Sequence, residues 1–319
     1  MSFLQKTAIF CCLILVLYGC GQRYGKKSFY ALGTIIDITL QEKDISYFDN
    51  IKTLINTYEK SITNAAHDIN TAKKNEKVTV SNEIVELLKQ SSYYYNLSNG
   101  HFDITIATIT SLYGFPEGPF KIPNNKHINK AKTQVGFHNL KINYENNTIT
   151  KSTDILIDTG AFSKGTIVDK TVEYLKSVGV KSAIVNAGGD LYCIGDKNEN
   201  QWTIAIKHPD ENSNLLSTIF IKEKAVATSG DYERSFEENG KRINHIFDAI
   251  TFSTSDKYKS MSVIADNTET ADALSTVYYL LPVKKIKKLC QEMDTPVLIY
   301  TKTGEIIKLC GWDLYEKKE

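Results

Sequence analysis

Four strand-like runs, residues 183–185, 202–206, 217–221 and 260–265, crowd the second half of the chain. They outnumber the helical segments there, and strands set that close together point to an α+β class with mostly antiparallel sheets and packed helices. Upstream, Ile36, Ile38 and Leu40 alternate with polar neighbours, which predicts a half-buried strand over 34–40. Phe48, Ile51, Leu54, Ile55 and Tyr58 fall at helical spacing, and a second helix is expected over 81–95 with Ser81 as its N-cap. Val168, Val172 and Leu175 mark one face of another helix, which Gly179 ends. Helices over 269–281 and on to 292 follow, then a hairpin through Thr303-Gly304. Residues 114–129, rich in Gly, Pro and Asn, are expected to form a loop. There is no strand–GxGxxG–helix unit and no Walker loop, so neither a Rossmann nor a P-loop domain is supported.

Charge narrows the function classes. The 319 residues carry 38 basic and 37 acidic side chains, a balance that argues against a nucleic-acid binder, which gathers a basic excess. A hydrophobic fraction of 42% excludes an acidic disordered chain. The first residues are a separate matter. Lys6 precedes an apolar run over 8–18, too short for a bilayer span of about 20 residues and suited to the h-region of a secretory signal. The run ends Leu17-Tyr18-Gly19-Cys20, which resembles a bacterial lipoprotein box with Cys20 as the lipidated residue; a cleaved signal that merely contains Cys is the alternative. Residues 1–19 are thus read as a lipoprotein signal peptide, 20–28 as a polar tether and 29–319 as one domain. With Lys6 gone the two charge signs come level, so acyl chains such as palmitate, at roughly 0.8 kcal/mol per buried methylene, would hold the protein to a membrane. Cys193, Cys290 and Cys310 remain, an odd number without a C-x-x-C pair. No zinc site is expected. Buried free thiols are the expectation, with one disulfide as the alternative in an oxidising compartment.

Four segments carry chemistry. Asp158-Thr159-Gly160-Ala161-Phe162-Ser163-Lys164-Gly165 leads into a helix; its small residues let backbone approach a ligand, and Lys164 supplies a point charge suited to phosphate. Taken alone it reads equally as a turn with a solvated lysine. Asn186-Ala187-Gly188-Gly189-Asp190 after an apolar strand reads first as a hairpin turn. Hydroxyls, carboxylates and cations crowd Ala227-Thr228-Ser229-Gly230-Asp231-Tyr232-Glu233-Arg234, ahead of His245. That histidine fits either a satisfied core position or a general base. Asp272 and Thr276 stand at i and i+4 in a helix and present two hard oxygens on one face, a donor pair suited to Mg²⁺. An aspartate complementing the helix dipole is the plain alternative.

In order along the chain, Leu32-Gly33-Thr34, Gly100-His101-Phe102-Asp103-Ile104-Thr105, the run 158–169, the run 186–190, the run 227–234, His245-Ile246 and the run 271–276 together resemble the FAD:protein FMN transferases, the ApbE family. The resemblance covers residues 29–300. It implies a T-fold-related α+β architecture that binds FAD with Mg²⁺, cleaves the pyrophosphate, and transfers FMN to a Ser or Thr hydroxyl of a target protein as AMP leaves. It also implies metal ligation by the Ala161 carbonyl, Asp272 and Thr276, with flavin contacts from Leu32, His101, Phe102, Asp103, Asp158, Lys164 and Ile246. His245 would be the base. The implied location is a bacterial membrane, facing the periplasm or exterior, and the implied partners are membrane-bound electron-transport subunits. Two alternatives share the residues: an Mg²⁺-dependent FAD pyrophosphatase giving FMN and AMP, and a non-catalytic FAD-binding lipoprotein. The chain departs from the family pattern with Leu32 for Met, His101 for Ala, and Asp248-Ala249-Ile250-Thr251-Phe252 for D-P-x-T-G.

Overall fold

The computed structural model describes residues 22–160, 163–210 and 214–316. The signal segment and Cys20 lie outside the described residues. One eight-stranded sheet runs through the molecule: β1 (Tyr24–Ala31), β2 (Thr34–Gln41), β3 (Ala183–Ala187), β4 (Asp190–Ile194), β5 (Lys224–Gly230), β6 (Tyr258–Ala265), β7 (Val297–Thr301) and β8 (Ile306–Leu309). Spatial order follows sequence order, and every neighbouring pair is antiparallel.

Side chains alternate between two cores, as the pleat of a strand requires. Val185, Tyr192, Ala225, Ala227 and Val263 face the larger core. There α1 (Phe48–Thr71), α2 (Asn82–Leu97), α4 (Ser163–Ser177), α5 (Thr268–Leu280) and α6 (Val283–Glu292) pack on the sheet, α3 being the short helix Asn125–Lys132. Leu191, Cys193, Val226, Ile264 and Leu298 face the other way, onto the hairpin Trp202–Lys207/Leu215–Ile221 and Trp312. Helix α4 ends as its glycine predicts: Gly179 has φ +85°, and the Val180 N–H donates to the Leu175 carbonyl.

Three expectations are corrected. Residues 24–28 are part of β1 and no tether. Tyr24 packs edge-on against Trp202 with ring centroids 5.2 Å apart. Lys26 pairs with Asp37 at 2.7 Å, and the Ser28 hydroxyl donates to the same carboxylate at 2.6 Å. As an edge strand β1 keeps one side in solvent, so its composition stays polar. The loop expected over 114–129 gives way at Asn125 to helix α3, which buries only Ala131 and so has no apolar stripe. Asn124 caps it by accepting the His127 N–H at 3.0 Å. Cys290 and Cys310 form a disulfide, because the end of α6 lies beside the segment after β8; among the described residues Cys193 is the buried free thiol.

Candidate active site

Helices α1, α4 and α5, together with the loops at 102–106, 157–160 and 245–247, enclose a cavity of about 650 Å³, within the usual range for small-molecule sites. At its rim the β1–β2 hairpin turns through Leu32-Gly33, both at positive φ (56° and 68°), the geometry of a two-residue type I′ turn. A leucine there is strained. Its N–H is held by the Glu59 carboxylate on α1 at 2.7 Å, and its side chain packs on the core beside the cavity.

Phe102, Asp103, Asp158 and Ile246 line the same space. Asp103 is committed to the fold: one oxygen accepts the Thr105 N–H and hydroxyl at 2.8 and 2.7 Å, the other the Phe137 N–H at 2.8 Å. Asp158 accepts the Gly160 N–H at 2.7 Å, folding the run 158–160 over its own carboxylate. The Asn70 amide docks that run to α1 by bonding both the N–H and the carbonyl of Ile157, at 2.7 and 3.1 Å.

The ionic groups form one connected cluster. Lys164 contacts Asp190 and stands 3.9 Å from Asp272. Burial alone would lower its ammonium pKa; the charges of Asp190 and Asp272 more than reverse that and keep it protonated. Asp272 accepts the Gly165 N–H at 2.9 Å. Burial, and then the charge of Asp190, push its carboxyl well above the usual carboxylate range. One turn on, the Thr276 hydroxyl stands 3.1 Å from that of Ser229. Glu233 is reached by solvent from the cavity, yet the enclosing walls push its carboxyl up to about 7.

Carboxylates thus outnumber the buried ammonium beside them, and the donors are hard oxygens. That chemistry fits a divalent cation such as Mg²⁺. Among the described residues no three His, Cys, Asp or Glu side chains converge as a metal group, so such an ion would rest on a mixed set led by Asp272 and Thr276. Ala161 lies outside the described residues.

His245 faces the cavity beside Arg234. Its backbone N–H and its Nδ1 both reach the Arg234 carbonyl, at 3.1 and 3.2 Å. A carbonyl only accepts, so Nδ1 carries the proton in this contact and Nε2 keeps its lone pair. Burial and then the Arg234 charge push the imidazole down to about 4, so it is neutral at neutral pH.

A family model described as the ApbE family matches residues 32–299. The chain belongs to the ApbE family. It is 28% identical over 294 residues to the FAD:protein FMN transferase of Vibrio cholerae, which covers 90% of this chain and 87% of that protein. In structure it is similar to the ApbE protein of Thermotoga maritima, with a TM-score of 0.87 at 28% identity over 93% of this chain and 100% of that one. The flavin transferase ApbE of Vibrio cholerae superposes with a TM-score of 0.81 at 23% identity over 92% and 99% of the two chains, a likeness of fold alone.

Of the residues marked in the sequence, this ApbE-family fold brings Leu32, Phe102, Asp103, Asp158, Lys164, His245, Ile246, Asp272 and Thr276 to one cavity. His101 is not among them. Its ring turns to Asp248 instead, with Nδ1 3.0 Å from the carboxylate, because a buried carboxylate is the stronger attraction for an imidazole. Glu59, Asn70, Ser229, Glu233 and Arg234 line the cavity without a role having been assigned to any of them from the sequence. The last three sit in the run 227–234, whose density of polar side chains was the available signal. Nothing in the local pattern of α1 marks Glu59 or Asn70.

Proposed function

We propose that the protein transfers the FMN half of FAD to a Ser or Thr hydroxyl of an acceptor protein, releasing AMP, with Mg²⁺ bound at Asp272 and Thr276. The observation that carries this reading is a neutral histidine with a free Nε2 beside a buried, over-acidic oxygen cluster, in a cavity that also offers apolar surface from Leu32, Phe102, Ile157 and Ile246. The ApbE-family relatives named for this activity support it.

The acceptor hydroxyl is a poor nucleophile at neutral pH without a base. His245 Nε2 takes its proton as the oxygen bonds to the flavin-side phosphorus. The P–O bond to the bridging oxygen breaks, and that oxygen leaves on AMP. The Arg234 carbonyl, accepting from Nδ1–H, fixes the tautomer and is placed to stabilise the imidazolium that forms. Mg²⁺, where bound, supplies charge neutralisation on the diphosphate. Lys164 keeps the Asp190–Asp272 pair from repelling an anion. Leu32, Phe102 and Ile246 offer apolar surface to the flavin ring. The acylated Cys20 would hold the protein at the membrane face where its acceptors, membrane-bound electron-transport subunits, reside; no helix among the described residues is long and apolar enough to cross a membrane.

The test is intact mass of a candidate acceptor domain after incubation with FAD and Mg²⁺, with and without EDTA. A Mg²⁺-dependent gain of one FMN is expected, with AMP in equal amount. Free FMN and AMP beside an unmodified acceptor would point to hydrolysis. FAD left intact and bound would point to a carrier.

A further inference from the structure

We propose that Arg234 is the residue that binds the diphosphate bridge of the dinucleotide, while its own backbone holds His245. This rests on the flavin-transfer reading and assigns the anion-binding role within it.

Lys164 is the cation the sequence offers for phosphate, but the fold neutralises it. It is committed to Asp190 and Asp272, so it presents little net charge to an incoming anion. Among the described residues, and apart from the histidines, the other basic side chain lining the cavity is Arg234. Among the described residues no carboxylate comes within ion-pair distance of its guanidinium. That group lies close to the hairpin turn at the cavity rim. A Cβ built on Gly33 would stand 3.1 Å from Arg234 Nη2, so the guanidinium lies against the rim turn Leu32-Gly33, where the lack of a side chain leaves it room.

Chemistry favours this residue for the task. A planar guanidinium donates two parallel N–H bonds to two phosphate oxygens, whereas an ammonium acts as a point charge. Side chain and backbone of Arg234 do separate work: the fork faces the anion, and the carbonyl receives both His245 N–H groups. One residue therefore sets the base and the electrophile in a fixed relation. A ligand with a diphosphate should engage the fork, and a flavin without phosphate should not.

The experiment titrates the purified protein with FAD and with riboflavin, following flavin fluorescence, for the parent, Arg234→Gln and Arg234→Lys, in magnesium and again in EDTA. The parent is expected to bind FAD more tightly than riboflavin. Arg234→Gln is expected to weaken FAD by about 10- to 100-fold, in the range of a lost charged hydrogen-bond pair, and to leave riboflavin unchanged. Arg234→Lys should fall between, and the ordering should persist in EDTA. Equal loss of both ligands in Arg234→Gln would make the arginine a support of the hairpin and overturn the proposal, as would unchanged FAD affinity. A parent protein that binds neither flavin would overturn the flavin reading itself, without reference to any variant.

Discussion

The His101 ring stands with Nδ1 3.0 Å from both carboxylate oxygens of Asp248, a buried residue. The same segment bonds through its backbone, the His101 carbonyl accepting the Ala249 N–H at 3.1 Å. Two contacts thus tie residue 101 to the loop that follows His245. Burial would raise the Asp248 carboxyl, but the Ile250 N–H and then His101 outweigh it and hold it below the ordinary value of 3.8. A lowered carboxyl contributes stability that is present above its unfolded value and lost as pH falls through the folded one. His101→Ala should therefore destabilise the protein by roughly 1–3 kcal/mol at neutral pH, as removing one partner of a buried charged bond does. It should leave riboflavin binding in place, since the ring lies outside the cavity lining. Urea unfolding checks it. A variant as stable as the parent would show that the Ile250 N–H and Lys257, 2.9 and 3.5 Å from Asp248, hold the carboxylate without His101.

That pair also shows where the sequence stopped being legible. His101 for Ala and Asp248-Ala249-Ile250-Thr251-Phe252 for D-P-x-T-G stand out as departures from a pattern, and nothing in the string says they touch. In the fold they do, and the turn survives without its glycine: Phe252 takes φ +56°, its N–H bonds to the Asp248 carbonyl at 2.7 Å, and Lys132 lies over its ring. Strands and helices were readable because burial on a sheet or helix imposes a period, as at Ile36, Ile38 and Leu40. Helix α3 was not, since Asn125–Lys132 buries a single alanine and leaves no stripe. The cavity's ion cluster was readable only in part. Asp272 and Thr276 share a helix face and declare themselves by spacing, whereas Lys164–Asp190 and Arg234–Gly33 exist only once distant segments meet.

The low pKa of His245 has a kinetic consequence. A base pushed down to about 4 is neutral, and competent, throughout the neutral range. This base is lost only as pH falls through about 4, when the imidazole takes up a proton. At saturating Mg²⁺, and with Glu233 replaced by Gln to remove its own titration near 7, the pH profile of kcat/KM for transfer should therefore be flat across 6.5, where an ordinary histidine would give an acid limb. Bound diphosphate is an anion beside the ring and should move the limb of kcat above that of kcat/KM. An acid limb centred near 6.5 in kcat/KM that persists at saturating Mg²⁺ and in Glu233→Gln would remove His245, as placed here, from the role of base. His245→Ala itself should keep FAD affinity while transfer falls by about 100-fold or more.

Asp272 carries opposing demands. Burial and Asp190 raise its carboxyl, so its ionised form costs stability in the metal-free fold. Folding thus favours the protonated form, and the associated stability is lost as pH rises through the raised value. Asp272→Asn keeps an oxygen to accept the Gly165 N–H and removes the charge. Without added metal its Tm should match the parent's or exceed it by a few degrees. The shift in Tm on adding Mg²⁺ should vanish, and transfer should fall by about 100-fold or more. Thermal melts with and without Mg²⁺ decide: an undiminished Mg²⁺ shift in the variant would place the ion elsewhere.

Gly165 gives a prediction in which two effects of similar size oppose. It is the third residue of α4, and in an exposed helix a change to alanine would add about 1 kcal/mol of propensity. Here a Cβ would stand 2.5 Å from the Thr268 carbonyl oxygen and 2.7 Å from Glu269 Cα. Both obstacles are backbone at the start of α5, so neither can rotate away. Helices α4 and α5 would have to separate, at a cost of roughly 1–3 kcal/mol for overpacking, while the Gly165 N–H is drawn off Asp272. The clash should win. Gly165→Ala is expected to unfold at lower urea concentration and to bind Mg²⁺ more weakly, because the helix that presents Asp272 and Thr276 is the one displaced. If the variant is as stable as the parent or more so, propensity has won and the close crossing of the two helices is not what selects glycine at this position.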